Sequence, residues 1–234
     1  MQFLSEVIGI VTKYWQYLLS GIGYTMLIAL VGTAAGFLIG LLTGVIRTAP
    51  ASKKAAVRVL HKIVNAIIAV YIEIFRGTPM MVQAMVIYWG YAFLNGGNTL
   101  PLIPAGLFIV SINTGAYMAE SVRGGIMSVD NGQFEAGRSL GFNYVQTMLY
   151  IVIPQVFKSV LPALLNEFIA LLKETSVAGY VGIMDLTKAG DLIRGRTFSA
   201  FMPLIAVALV YLIIVMLLTS LVGQLERRLR KSER

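Results

Sequence analysis

The chain has no cysteine, a single histidine and few acids: 11 Asp and Glu stand against 19 Lys and Arg in 234 residues, for a net charge of +8. Without a thiol there can be no disulfide, no thiolate metal site and no cysteine nucleophile. His61 sits beside Lys62 in a basic stretch and reads as a solvated surface side chain rather than a ligand or general base. No GxxxxGK[ST] loop is present, so the chain cannot hydrolyse ATP alone, and HExxH and GxSxG are missing as well. No catalytic residue, metal site or cofactor is therefore expected within this chain. The first 17 residues lack a basic start followed by a short apolar core and a small-residue cleavage site. They carry Glu6, Lys13, Tyr14 and Trp15, which suit an interfacial lead-in with aromatic anchors, and no cleaved signal is expected.

What is abundant is apolar. Hydrophobic residues make up 57% of the chain and charged residues 13%, with a mean hydropathy of +0.78, the composition of an integral membrane protein. In a soluble protein the basic excess would suggest nucleic acid. Here the cations cluster at the ends of apolar runs, so retention on the cytoplasmic side of an anionic bilayer explains them and no nucleic-acid partner is expected.

Residues 18–46 form a first uncharged span, with Gly32, Gly36, Gly40 and Gly44 on one face. Such a small-residue ridge permits close helix contact, within one subunit or across a dimer seam. Arg47, Lys53, Lys54, Arg58 and Lys62 then mark a cytoplasmic loop. Residues 63–75 alone are too short to span and residues 80–94 are marginal. The uncharged loop 95–99 reads as external, so an odd number of crossings must separate it from the basic loop. Residues 63–94 are accordingly one element broken at Gly77-Thr78-Pro79; unbroken it would run roughly 48 Å, well past a hydrocarbon core of about 30 Å. A third span covers residues 102–120, after which Gly124-Gly125 loosens the chain. Residues 151–172 return outward, with Pro154 and Pro162 to start or kink the helix. Residues 173–197 read as an external loop, with a re-entrant piece between Val177 and Ile183 as one alternative. Residues 201–222 make the fifth span, and the basic run 227–231 an inside tail. The expected topology is five crossings, N-terminus outside and C-terminus cytoplasmic.

One polar stretch interrupts this pattern. Residues 133–141 hold Gln133, Glu135, Arg138 and Ser139 between Phe134, Gly137 and Leu140–Gly141 at helical spacing. They fit a short surface helix whose small apolar face could seat in a groove on another protein. The stretch 135–154, EAGRSLGFNYVQTMLYIVIP, resembles the signature E-A-A, three residues, G, nine residues, I, one residue, L-P of inner-membrane permease subunits of ABC importers. Glu135, Ala136, Gly141, Ile151 and Pro154 fall in register, Gly137 replaces the second alanine, and Ile153 stands where leucine is usual. Residues 73–79, EIFRGTP, and 116–126, AYMAESVRGGI, resemble the polar amino-acid branch of that family.

The resemblance covers roughly residues 15–225. It implies an all-α, polytopic type I importer permease, one transmembrane domain over residues 1–234, with an ATPase-docking segment at about 131–142. Glu135, Ala136, Gly137 and Gly141 would meet a separate ATPase dimer that holds the ATP and Mg. Glu135 makes the polar contact, caps the helix, or is simply solvated; Ala136 and Gly141 permit close approach. Further implied partners are a second permease copy or homologue, an extracytoplasmic amino-acid-binding protein and the lipids of a bacterial or archaeal inner membrane. The cargo would be polar amino acids, basic ones among them. A self-sufficient secondary transporter and a non-transporting membrane anchor are the rival readings.

Ionisable groups within spans default to candidates facing a hydrated path. Glu73 and Glu120 have cations three residues on, Arg76 and Arg123, and pairing is the favoured reading for both. Glu167, beside Asn166, has no cation at i±3 or i±4 and is the chief pathway candidate; Lys173 and Glu174 follow it. Asn113, Thr114 and Tyr117 would line the same path or hydrogen-bond neighbouring helices.

Overall fold

The structure, a computed structural model, describes residues 2–231, with side chains described over residues 5–228. Eleven α-helices follow in order: α1 Gln2–Lys13, α2 Trp15–Thr48, α3 Ala55–Gly77, α4 Met80–Leu94, α5 Leu102–Met127, α6 Asn131–Ser139, α7 Tyr144–Thr147, α8 Ile153–Glu174, α9 Ala178–Val181, α10 Leu186–Thr197 and α11 Met202–Lys231. No strand occurs among the described residues. Five stretches are long and apolar enough to cross a membrane: Trp15–Thr48, Ala55–Gly77, Leu102–Met127, Tyr144–Val181 and Met202–Arg228. The count of five holds, and every span moves at one border or both.

At the centre α2 and α5 lie together along most of their length, and the glycine ridge is the reason. A Cβ on Gly32 would sit 2.5 Å from Val110, on Gly36 2.6 Å from Thr114, and on Gly44 2.7 Å from Val122. At Gly40 it would strike Met118 and come within 2.8 Å of the Ala119 backbone nitrogen. The small-residue face thus serves packing within the subunit, letting two backbones approach where any side chain would hold them apart. Gly21 continues the line, its missing Cβ leaving room for the Leu186 Cα at 2.7 Å.

The second crossing is α3, which begins at Ala55 rather than residue 63 and is long enough to span without α4. Arg58, His61 and Lys62 lie inside this helix, because Lys and Arg are good helix formers whose stems carry their charges out to water. The break at Gly77-Thr78-Pro79 is as expected: Thr78 and Pro79 are both extended between α3 and α4. His61 is half-buried, not solvated. Its Nε2 lies 2.9 Å from the Ile46 carbonyl in the last turn of α2, where a donor satisfies an orphan acceptor.

Gly124-Gly125 does not loosen the chain. Both stay within α5, and Gly125 lets Val156 and Val160 of α8 close in, 3.1 and 2.8 Å from where its Cβ would be. The fourth crossing starts at Tyr144, passes a π-helical turn at Met148–Val152 and enters α8 with Pro154 in its first turn, where a missing N–H is harmless. Residues 173–197 are not a loop. A 3-10 turn at Thr175–Val177, α9, a left-handed Gly182 and α10 fill them. Leu186, Ala189, Gly190 and Ile193 recur at helical spacing and are buried against α2 and α11, while Thr187, Lys188 and Asp191 between them masked the period.

Candidate functional site

The polar stretch between α5 and α8 is a self-contained piece of hydrogen-bond chemistry. Asp130 caps α6 by accepting from the Gly132 amide at 2.7 Å. At the other end Gly141 has φ +80. Its amide donates to Arg138 O at 2.9 Å, and the Phe142 amide to Gly137 O at 3.0 Å, the paired bonds of a Schellman stop. Asn143 and Gln146 then form a reciprocal capping box, at 2.9 and 3.0 Å, that starts α7. Nine residues of helix are thus cut out between two spans by side chains that need no distant partner.

The face this helix presents differs from expectation. Gly137 is buried: a Cβ there would meet Thr147 Oγ1 at 2.7 Å and Ile151 at 3.3 Å. Phe134 packs with the cluster built on Val122, Met148 and Val152. The small apolar face is therefore turned onto the chain's own fourth span, which explains why glycine fits where the signature has alanine. Gly141 has open space around it, so its requirement is the left-handed backbone rather than close approach. Glu135, Ala136, Arg138, Ser139 and Leu140 are outward, and Leu140 is 71% exposed. Beside them is a recess of about 190 Å³ lined by Pro50, Phe134, Arg138, Tyr144 and Thr147. Pro50 belongs to the basic connection between α2 and α3, so the capped helix and Lys53-Lys54 share one end of the bundle.

Next come the polar residues of the spans. Asn113 is buried, and its amide donates to Gln83 Oε1 at 2.7 Å and Phe75 O at 3.3 Å. Gln83 in turn donates through Nε2 to Phe75 O at 2.9 Å, Thr78 O at 2.8 Å and Thr78 Oγ1 at 2.9 Å. The carbonyl of Phe75 would find its helical partner at Pro79, which has no N–H, and the two amides take over that role. Thr114 is fully buried against Gly36. Of the two alternatives Asn113 thus takes the interhelical hydrogen bond, whereas the buried Thr114 hydroxyl has no hydrogen-bond partner among the described residues and packs only by contact. Tyr117 is partly exposed, with the Arg76 guanidinium 5.6 Å from its ring centroid. That contact replaces the expected Glu73–Arg76 pair: Glu73 is exposed, and no ion pair to it occurs among the described residues.

Glu120 does pair with Arg123, at 3.1 Å, and also with Arg47 at the end of α2. Glu167 is half-buried on α8, with no hydrogen bond or ion pair among the described residues, and Asn166 beside it faces outward. Glu174, seven residues on, shares its face of the helix. Sequence reasoning missed Gln83, Arg47 and Asp185. The Asp185 carboxylate is fully buried and caps α10, accepting from Lys188 N at 2.9 Å and Thr187 N at 3.1 Å. Burial pushes its pKa above the ordinary carboxylate value, against the lowering pull of those two amides. The signal for it was present, an Asp just before Leu-x-x-Ala-Gly-x-x-Ile. Among the described residues no cluster of His, Asp or Glu could hold a metal ion.

Comparison with known proteins bears on the same features. Residues 36–231 match the family described as binding-protein-dependent transport system inner membrane component. The probable glutamine ABC transporter permease protein GlnM of Bacillus subtilis (strain 168) is 35% identical over 225 residues, 96% of this chain and 99% of that protein. The glutamine transport system permease protein GlnP of Escherichia coli (strain K12) is 35% identical over 213 residues, 91% of this chain and 93% of that one. Among solved structures, a chain of an amino acid ABC transporter crystallised with histidines superposes with a TM-score of 0.78 at 36% identity, covering 97% of this chain and 99% of its own. A chain of the inward-facing MetNI methionine ABC transporter superposes at 0.74 with 21% identity, a likeness of fold alone.

Proposed function

For a chain that belongs to the family of binding-protein-dependent transport system inner membrane components, as the permease subunit of an amino-acid ABC importer, we propose that α6 is the seat of a separate ATPase dimer and that polar amino acids of the glutamine kind, basic ones among them, are the cargo. The permease itself is not an enzyme; ATP and Mg belong to the partner. A binding protein delivers substrate at the opposite end, and a second permease copy or homologue completes the path. The whole chain acts as one transmembrane domain, its N-terminus extracytoplasmic and its C-terminus cytoplasmic, in a bacterial or archaeal inner membrane.

The observation that carries this reading is α6 itself. It is a polar helix capped at both ends, backed by its own fourth span, and it shows Glu135, Arg138 and a 71%-exposed Leu140 outward. An apolar side chain that exposed on a polar helix suits a groove in a partner. A partner that grips the exposed face moves the buried Gly137 face with it, and so displaces α8. Leu140→Asp tests this. We expect loss of the co-purifying ATPase and of substrate-stimulated ATP hydrolysis in proteoliposomes, with thermal stability of the permease changed by less than about 0.5 kcal/mol. Retained assembly and uptake would remove the docking assignment.

For the pathway, Glu167 and Asn166 on α8 are the residues we assign first, with Tyr117 and Glu73 on the exposed side of their helices. A carboxylate half-buried in an apolar span without a protein partner calls for water or a cationic group. Glu167→Gln keeps the shape and removes the charge. Uptake should fall, most for a cationic amino acid, while assembly with the ATPase is preserved. Unchanged uptake would take Glu167 off the path.

A further inference from the structure

At the end of the bundle remote from α6, two cations stand over two neighbouring aromatic rings. Lys13 closes α1, and its Nζ is 5.5 Å from the Tyr14 ring centroid. Arg196, in the last turn of α10, holds its guanidinium carbon 4.6 Å from the Tyr17 ring centroid. The two rings are themselves 6.4 Å apart. Both cations are exposed, and neither has a carboxylate partner among the described residues, whose ion pairs are Arg47–Glu120, Arg123–Glu120 and Arg194–Asp191. Two exposed cations seated on neighbouring rings leave this surface positive, which favours an anion beside them.

What surrounds them says which anion. Lys13 immediately precedes the uncharged run of α2, and Arg196 immediately precedes that of α11. Both therefore lie at the boundary where hydrocarbon gives way to headgroups. Trp15 is 54% exposed, Phe198 96% and Phe201 61% at this same boundary, the aromatic belt of a membrane protein. Helix α1 packs Val7, Ile10 and Val11 inward beside α11 and leaves Ile8 outward, as a helix lying in the interface does. The rings hold the two side chains in place, so little freedom is lost when a ligand is bound.

We propose that Lys13 and Arg196 form a clamp for the phosphate of an anionic phospholipid headgroup, seated on the Tyr14–Tyr17 pair where α1, α2 and α10 meet. The clamp draws α10, which closes this end of the bundle over α2 and α11, to the bilayer surface. It depends only on the chain spanning a membrane, and holds whichever leaflet this end faces.

The test uses the complex of this chain with its partner subunits in nanodiscs of phosphatidylcholine, with and without phosphatidylglycerol. Retained lipid is counted by native mass spectrometry, and the thermal midpoint is followed alongside. Each cation at an anionic surface is worth about a fivefold change, so Lys13→Gln with Arg196→Gln should weaken phosphatidylglycerol retention about thirtyfold. It should also abolish any phosphatidylglycerol-dependent rise in midpoint, whereas Lys13→Arg with Arg196→Lys should keep both. Inorganic phosphate and glycerol phosphate, added free, should not raise the midpoint of the complex in phosphatidylcholine. Four results would overturn the clamp: unchanged retention in the glutamine variant, loss of retention in the charge-preserving one, no phosphatidylglycerol preference in the unmodified complex, or lost binding-protein docking with lipid retention intact. The last would reassign the two cations to a protein partner. Should the glutamine variant fail to assemble, the lipid preference of the unmodified complex and the charge-preserving variant decide.

Discussion

Two long apolar stretches are interrupted in this chain, and they are repaired in opposite ways. The break between α3 and α4 leaves carbonyls of Phe75 and Thr78 without helical partners, and side-chain amides from Gln83 and from Asn113 of another helix reach in to them. The break around α6 is closed by Asp130, Gly141 and the Asn143–Gln146 box, all acting within a few residues. The first lies between two apolar helices and is met by two buried amides, Gln83 and Asn113, although Thr78 and Pro79 are themselves exposed; in an apolar span an orphan carbonyl is costly. The second is at the surface, where local caps and water suffice. A break met by buried amides from another helix therefore ties helices to one another, and a break capped locally leaves a helix free to answer to a partner.

The largest effect should come from Gln83→Leu, which strips the Thr78 carbonyl, leaves Phe75 O with the longer Asn113 bond alone, and takes the Oε1 acceptor from the Asn113 amide. We expect about 3–4 kcal/mol of lost stability, read as loss of monodisperse protein in detergent. A loss under 1 kcal/mol would mean that water reaches this break, and the contrast between the two would dissolve. Next is Gly141→Ala. The left-handed backbone should cost about 1 kcal/mol, with Gly141→Asn closer to neutral, and thermal midpoints of the two variants measure it. Equal losses for both would point to crowding rather than conformation.

The smallest effect sharpens the comparison through a third helix start, α10, whose cap is local like that of α6 yet buried. Burial raises the Asp185 pKa in the folded chain. The native state therefore holds its proton more tightly than the unfolded one, at about 3.9. Its contribution is fully present below that value, is lost as pH rises through the higher native pKa, and stays lost above it. Asp185→Asn cannot ionise and keeps the cap. Its midpoint should lack this fall, so that the two proteins diverge as pH rises from 4 towards neutral. Parallel profiles would show that the carboxylate is not desolvated.

The same division governs what could be read from residues alone. The number of spans, the break at Pro79 and the polar helix with its bounding glycine depend on neighbours in sequence, and all were visible there; the second span, expected over residues 63–94, is Ala55–Gly77 alone. Gln83 pairing with Asn113, Arg47 with Glu120, and His61 with the end of α2 join residues far apart in the chain, and nothing in the local pattern announces them. The outward face of α6 was misjudged for that reason: spacing puts Phe134 and Gly137 on one face, but only the position of Thr147 and Ile151 says that this face is covered. Helix α10 is the converse case. Its period and cap were legible, and its charges drew attention away.

The glycine line of α2 has a mechanical consequence. Val110, Thr114, Met118 and Val122 are seated one to each glycine, a turn apart, so the two helices mesh like a rack. Small sliding is blocked at every tooth at once, and the next allowed register is a whole turn away, about 5.4 Å. The pair must travel as a single strut. One end of it meets the connection to α6, and the other, at Gly21, bears directly on Leu186 at the head of α10. A push delivered at the first end arrives at the second without passing through a hinge.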